Sequence, residues 1–214
     1  MQDSTSKEKV LKNIRAALVN KMEPPFSTQD MDSDVLNALK DEDSPEIDFA
    51  MAFKDVQGQF VYCENDKELA SNLLSLLEQK ELKKVFCALD NVREFLIQQE
   101  DIIVVEDESQ MPYCDVVITD CECLIARFGS LLMSSAQTLS RKGIAGPEVH
   151  IVLAKTNQIV KDIKDAFTFV KNKYDNDLPS MLSIVTGPSR TADIEKTLVM
   201  GAHGPKELFV LLTG

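Results

Sequence analysis

Apolar residues in this chain follow two rhythms that alternate from about residue 59 onward. Short runs rich in Val, Ile, Phe and Cys predict strands at 59–62, 85–88, 102–105, 114–118, 149–154, 181–185, 198–200 and 208–212. Between several of them the apolar positions recur at helical spacing. Asn65 with Glu68 opens one such stretch, whose face is Leu69, Leu73, Leu74, Leu76 and Leu77. Asp90 and Asn91, with Glu94, start another that runs to Gln98. Ile159, Val160, Ile163, Ala166, Phe167 and Val170 form a third face, with Lys171 and Lys173 near its end, where cations suit the helix dipole. The unbroken run 102–105 has the composition of a strand buried on both faces. Strands alternating with helical stretches of roughly 10–15 residues predict βαβ units and a mostly parallel sheet. The expected architecture is a three-layer α/β domain over residues 45–214.

Residues 1–44 follow a different pattern and are expected to form a helical arm and linker. Val10, Leu11, Ile14 and Leu18 fall on one face of an amphipathic helix over 1–21, which Pro24 and Pro25 end. A short second helix is expected at 31–39, and the acidic stretch 40–44 reads as a linker. Such narrow apolar stripes are not stable alone, so the arm must dock on the main domain or within a homo-oligomer. Residues 119–134 read as a short helix, a glycine and a strand, and 137–146 as a loop.

The last of the rhythm changes carries the candidate chemistry. An apolar run ends at Val185, and Gly187 and Pro188 break it before a stretch that reads as helical. Ser189, Arg190 and Thr191 would then stand at the carboxyl end of a strand, where open α/β sheets take their ligands. Gly201, His203 and Gly204 form a second glycine-bearing break before the final apolar run. Together Gly187, Ser189, Arg190, Thr191, Gly201, His203 and Gly204 make a candidate anion site. Glycine lets backbone N–H groups approach a ligand, Arg190 adds charge, and Ser189 and His203 add hydrogen bonds. The alternative is structural: Gly187-Pro188 makes a turn, Thr191 caps a helix and Arg190 is a tether to carboxylates such as Asp193 or Glu195. No G-x-S-x-G elbow accompanies Ser189, so a Ser–His nucleophile is disfavoured. His150 and His203 form no close pair, so no metal site is expected.

Charge and cysteine usage narrow the picture. The net charge of −12 argues against nucleic acid or an anionic membrane as partner, since both need a basic face. No apolar run approaches the roughly 20 residues of a membrane span, and residues 1–18 are too polar for a signal peptide, which points to the cytoplasm. Cys63, Cys87, Cys114, Cys121 and Cys123 lack the spacing of an iron–sulfur or zinc set. No cofactor is therefore expected on this chain, and any redox centre would belong to a partner.

GPSRTADIE followed by GAHGP resembles the C-terminal signature of the lactate-utilisation (LUD domain) proteins, the LutC type in particular. The resemblance extends more weakly through 150–153 and 118–134 to roughly residue 50. It implies a fold similar to glucosamine-phosphate deaminases, ribose-phosphate isomerases and CoA transferases. It also implies a role in bacterial L-lactate oxidation to pyruvate, beside iron–sulfur-cluster-bearing partners, without supplying a catalytic mechanism for this subunit. Gly129 and Ser130 fit the family pattern, but Arg127 and Phe128 stand where glutamate and threonine are common. If that glutamate is an acid–base group, this chain lacks it. Phe128 would narrow any cleft nearby, and Arg127 would be solvated or contact an anion. The leading expectation is a non-redox accessory or substrate-handling subunit. A stand-alone enzyme on a phosphorylated or CoA-linked metabolite, by fold analogy, and a pure protein-interaction module are the alternatives.

Overall fold

Ser44 precedes Pro45, and Pro suits the first turn of a helix because its missing N–H would have had no partner there. In the computed structural model, which describes residues 44–136, 146–192, 198–200 and 204–214, a helix α1 does start at this point and spans Pro45–Asp55. Glu46 and Asp48 lie in its first turn, and Phe49 and Phe53, one turn apart, are fully buried. The linker expectation thus ends in an element that the Ser-Pro pair announces. The helices expected within residues 1–43 and the loop at 137–145 lie outside the described residues.

The alternation then proceeds largely as expected. Strand β1 (Gln59–Cys63) leads to helix α2 (Asp66–Gln79), β2 (Lys84–Cys87), α3 (Asp90–Ile97) and β3 (Ile103–Val105). Asn65 caps α2 by accepting from the Lys67 and Glu68 N–H groups, and Glu68 returns a bond to the Glu64 N–H at 2.7 Å. A 3₁₀ turn at Glu108–Tyr113 precedes β4 (Val116–Thr119). Then come β5 (Cys123–Ile125), a 3₁₀ turn at Ala126–Phe128 and β6 (Ser130–Ser134). Next are β7 (Val149–Lys155), a 3₁₀ turn at Thr156–Gln158, β8 (Ile159–Val160) and α4 (Ile163–Lys173). The last strands are β9 (Leu182–Val185), β10 (Arg190–Ala192), β11 (Leu198–Met200) and β12 (Glu207–Thr213).

Six strands pair in the order β1-β12-β7-β4-β2-β3, every pairing parallel. Alternate side chains of β7 and β12 divide between two cores. Ile151, Leu153, Phe209 and Leu211 face Leu73 and Leu77 of α2 and Leu96 of α3. Val152, Ala154, Val210 and Leu212 face Phe49 and Phe53 of α1 with Leu124 and Leu131 of a second sheet. That sheet has the order β8-β5-β6-β9, with β5–β6 and β6–β9 antiparallel. Its other face, Cys123, Ile125 and Leu132, packs on Ala166 and Val170 of α4. The parallel sheet is therefore covered by helices on one face and by α1 and the small sheet on the other, and α4 adds an outer layer.

Four local expectations are corrected. The run 102–105 is not buried on both faces: β3 is the sheet edge, and Ile103 is 64% exposed. Residues 123–125 form a strand rather than a helix, because Leu124 and its neighbours are sandwiched between two cores. Ile159 and Val160 belong to β8, and the helix starts only after Asp162, which caps Ile163 N and forms a capping box with Asp165. Finally, Arg190–Ala192 is not the start of a helix but a strand antiparallel to β11.

Candidate functional site

Two places in the fold gather polar groups, at opposite ends of the parallel sheet. The first is its carboxyl edge. After β2 the chain turns to α3 on one face, and after the adjacent β4 it turns to β5 on the other. Ala88 N donates to Ile118 O at 2.9 Å just before this parting. A cavity of about 580 Å³ opens above the strand ends, between Leu89 and Asp120 and reaching Lys155 and Thr213. Its apolar wall is Leu69, Ala70 and Phe95 of α2 and α3, and its polar rim includes Asp66, Asn91 and Gln158. Gln158 is fixed by the backbone: its Nε2 donates to Cys121 O at 2.7 Å and its Oε1 accepts from Lys155 N at 2.7 Å. None of these residues forms a sequence motif, because they come from several strand ends and helix starts that are far apart in the chain.

The second place holds the signature. Gly187 has φ +71°, and a Cβ there would lie 2.2 Å from the carbonyl oxygen of Val56, past the end of α1. Arg190 donates from its guanidinium to that same oxygen. Ser189 N donates to Pro205 O at 2.8 Å, and a Cβ on Gly204 would stand 3.0 Å from Ser189 Cβ. The structure thus brings Ser189 and Gly204 together. Gly201 and His203 lie outside the described residues, and Thr191 is described as backbone in β10. Two turns of evidence set this loop at the amino edge of the sheet: β12 begins at Glu207, and Lys206 N donates to Glu148 O at 2.7 Å beside the start of β7. β9, which leads into the signature, belongs to the small sheet. With seven residues in β12, the signature and the carboxyl-edge cavity are roughly 20 Å apart.

Between these ends lie two buried polar clusters. Glu122, fully buried before β5, accepts from Lys173 Nζ at 2.7 Å, from Tyr174 Oη at 2.8 Å and from Ser134 Oγ. Burial alone would raise its pKa, but these donors, Lys173 foremost, hold it below the usual carboxylate value. His150 of β7 is also buried, and its Nε2 lies 2.9 Å from Thr119 Oγ1. Thr119 Oγ1 also lies 2.9 Å from Asp120 O, and Nδ1 of His150 has no partner among the described residues. Desolvation pushes the His150 pKa down to about 4.

Arg127 is neither solvated nor turned to an anion: its side chain is 11% exposed, and Nε lies 2.8 Å from Asp162 Oδ2. Phe128 packs beside α4 and the small sheet, away from the carboxyl-edge cavity. All five cysteines are buried as free thiols, and burial raises each pKa, to about 11 for Cys87 and about 12 for Cys123. Among the described residues no group of three or more His, Cys, Asp or Glu side chains is placed to hold a metal ion, and no helix is long and apolar enough to cross a membrane.

A parallel sheet with a crevice where its strand connections diverge defines an open α/β fold. The LUD domain model matches residues 48–213, and the chain belongs to that family. Lactate utilization protein C of Bacillus subtilis is 30% identical over 111 residues, covering 50% of this chain and 46% of that protein. The protein of the same name from Deinococcus radiodurans is 28% identical over 107 residues, covering 50% of each. An uncharacterised Neisseria meningitidis protein is 35% identical over 97 residues, 45% of this chain and 41% of its own length. These alignments span about half the length of the curated relatives they match. A crystal structure of a DUF162 family protein from D. radiodurans superimposes with a TM-score of 0.59 at 19% identity, covering 79% of this chain and 96% of that one. That likeness shows the fold.

Proposed function

We propose that this chain serves lactate utilisation as a non-redox, substrate-handling subunit, acting in the cytoplasm beside iron–sulfur-cluster-bearing partners. The observation that carries the reading is membership of the LUD family together with similarity to proteins named for lactate utilisation. The sequence spacing of the five cysteines, of which only Cys121 and Cys123 are close, supports assigning electron transfer to partners. The carboxylate of lactate or pyruvate would bind at the signature, through Ser189, Arg190, Thr191 and His203 and the backbone at Gly187, Gly201 and Gly204. The approach of Ser189 to Gly204 supports treating the two loops as one unit.

The test is lactate-dependent reduction of an electron acceptor by the co-purified system, with and without this chain. Omission should lower the rate at least tenfold, and adding the purified chain back should restore it. An unchanged rate on omission overturns the reading. A second reading, that the chain has small-molecule chemistry of its own, is favoured by one observation, the cavity at the carboxyl edge of the sheet.

A further inference from the structure

The carboxyl-edge cavity is assigned by neither the signature nor the lactate reading, and its walls constrain what fits. Size comes first. At about 580 Å³ it lies within the range of pockets that enclose drug-sized ligands, and a three-carbon acid would leave most of it empty. Shape comes next. Leu69, Leu89 and Phe95, from α2, the end of β2 and α3, form an apolar wall on one side. A flat apolar or aromatic group buries its face there favourably.

Charge then decides between ligand classes. Asp66 and Asp120 line the cavity against a single lysine, Lys155. A phosphate at the start of α2 would have to displace Asn65, whose Oδ1 already takes the Lys67 and Glu68 N–H groups at 3.0 and 3.1 Å. The start of α3 has no side-chain cap, and its first residue, Asp90, is already ion-paired with Arg93 at 2.5 Å, so it adds no net charge of either sign. Within the cavity lining a polyanion would therefore meet two carboxylates against one lysine. Hydroxyl donors meet the opposite situation, because ionised Asp66 and Asp120 are acceptors only.

We infer that this cavity binds a ligand of nucleoside size and low charge. The ring lies on Leu69, Leu89 and Phe95, the hydroxyls donate to Asp66 and Asp120, and at most one negative charge lies near Lys155. Sugar bisphosphates, nucleoside triphosphates and CoA are selected against. The cavity is independent of the signature loop, which stands at the other end of the sheet.

Calorimetric titration of the full chain tests this with adenosine, guanosine, cytidine, uridine, ATP and L-lactate as separate probes. At least one nucleoside should bind, and its affinity should exceed that of ATP by tenfold or more. Asp66→Asn and Asp120→Asn should each weaken the nucleoside by about tenfold. Asp66 is exposed at a helix start, so its variant keeps the test valid if Asp120→Asn fails to fold. Loss of L-lactate binding in Arg190→Ala with nucleoside binding intact would separate the two sites. Failure of all four nucleosides to bind, tighter binding of ATP than of its nucleoside, or unchanged nucleoside affinity in folded Asp66→Asn overturns the inference.

Discussion

Glu122 is a buried carboxylate whose charge is retained because Lys173, Tyr174 and Ser134 all donate to it. Glu122→Gln removes the charge and leaves at least one donor without its ionic partner. Stability should fall by about 1.5–3 kcal/mol, the scale of a hydrogen bond to a charged group. Chemical denaturation of the two proteins measures this. Its pKa is held down in the folded state, so its contribution is present above the unfolded carboxylate value and is lost as pH falls through the folded one. His150 acts over a higher range. Its folded pKa of about 4 lies below the ordinary 6.5, so the unfolded chain takes up a proton first as pH falls. Stability is then lost progressively between pH 6.5 and about 4, by on the order of 3 kcal/mol. Melting His150→Leu beside the parent across this range should show a shallower decline in the variant. Neither role was legible in the sequence. His150 reads as the polar opening of a strand, and Glu122 sits in a Cys-Glu-Cys run whose partners lie on a helix some fifty residues away.

Helix α1 is held near its C-terminal end at two points. Gly129 has φ +54°, and a Cβ there would stand 2.2 Å from the backbone nitrogen of Phe53. Gly129→Ala therefore combines a strained conformation with a backbone collision, and should cost about 3 kcal/mol or more. Limited proteolysis should then cut within residues 44–58 at lower protease concentration than in the parent. About one turn further on, just past the same end of α1, the Val56 carbonyl receives the guanidinium of Arg190. Arg190→Ala separates two roles. If Arg190 holds the anion, binding of lactate or pyruvate weakens by about 1.5–3 kcal/mol and the melting temperature stays put. If it is chiefly the tether, the melting temperature drops and anion affinity is kept. Most elements were legible because their apolar rhythm is long enough to choose between periods, as in α2 with its five leucines. The three-residue strand β5 and two-residue β8 were not, since so few apolar positions suit either geometry. Arg190–Ala192 misled for another reason: Thr-Ala-Asp-Ile-Glu has the composition of a helix start, and pairing with β11 overrode it.

At the scale of the molecule, the turn at Gly187–Arg190, with Gly204 beside it, and the cavity at the strand ends are separated by the length of β12. The class of fold was visible from alternation alone, but the strand order was not. No periodicity in the sequence states that β12 lies between β1 and β7, yet that insertion decides how the chain assembles. Gln59 pairs with Phe209 and Cys63 with Thr213, and among the described residues β1 has no other neighbour in its sheet. During synthesis β1 must therefore wait on the ribosome, its edge open, until residues 207–213 have emerged. Phe49 and Phe53 wait with it, because Leu208, Val210 and Leu212 supply part of their cover. While residues 64–206 are being made, β1 thus lacks its partner strand and the two rings lack part of their cover, which makes the nascent chain a natural client for chaperones that shield extended apolar segments.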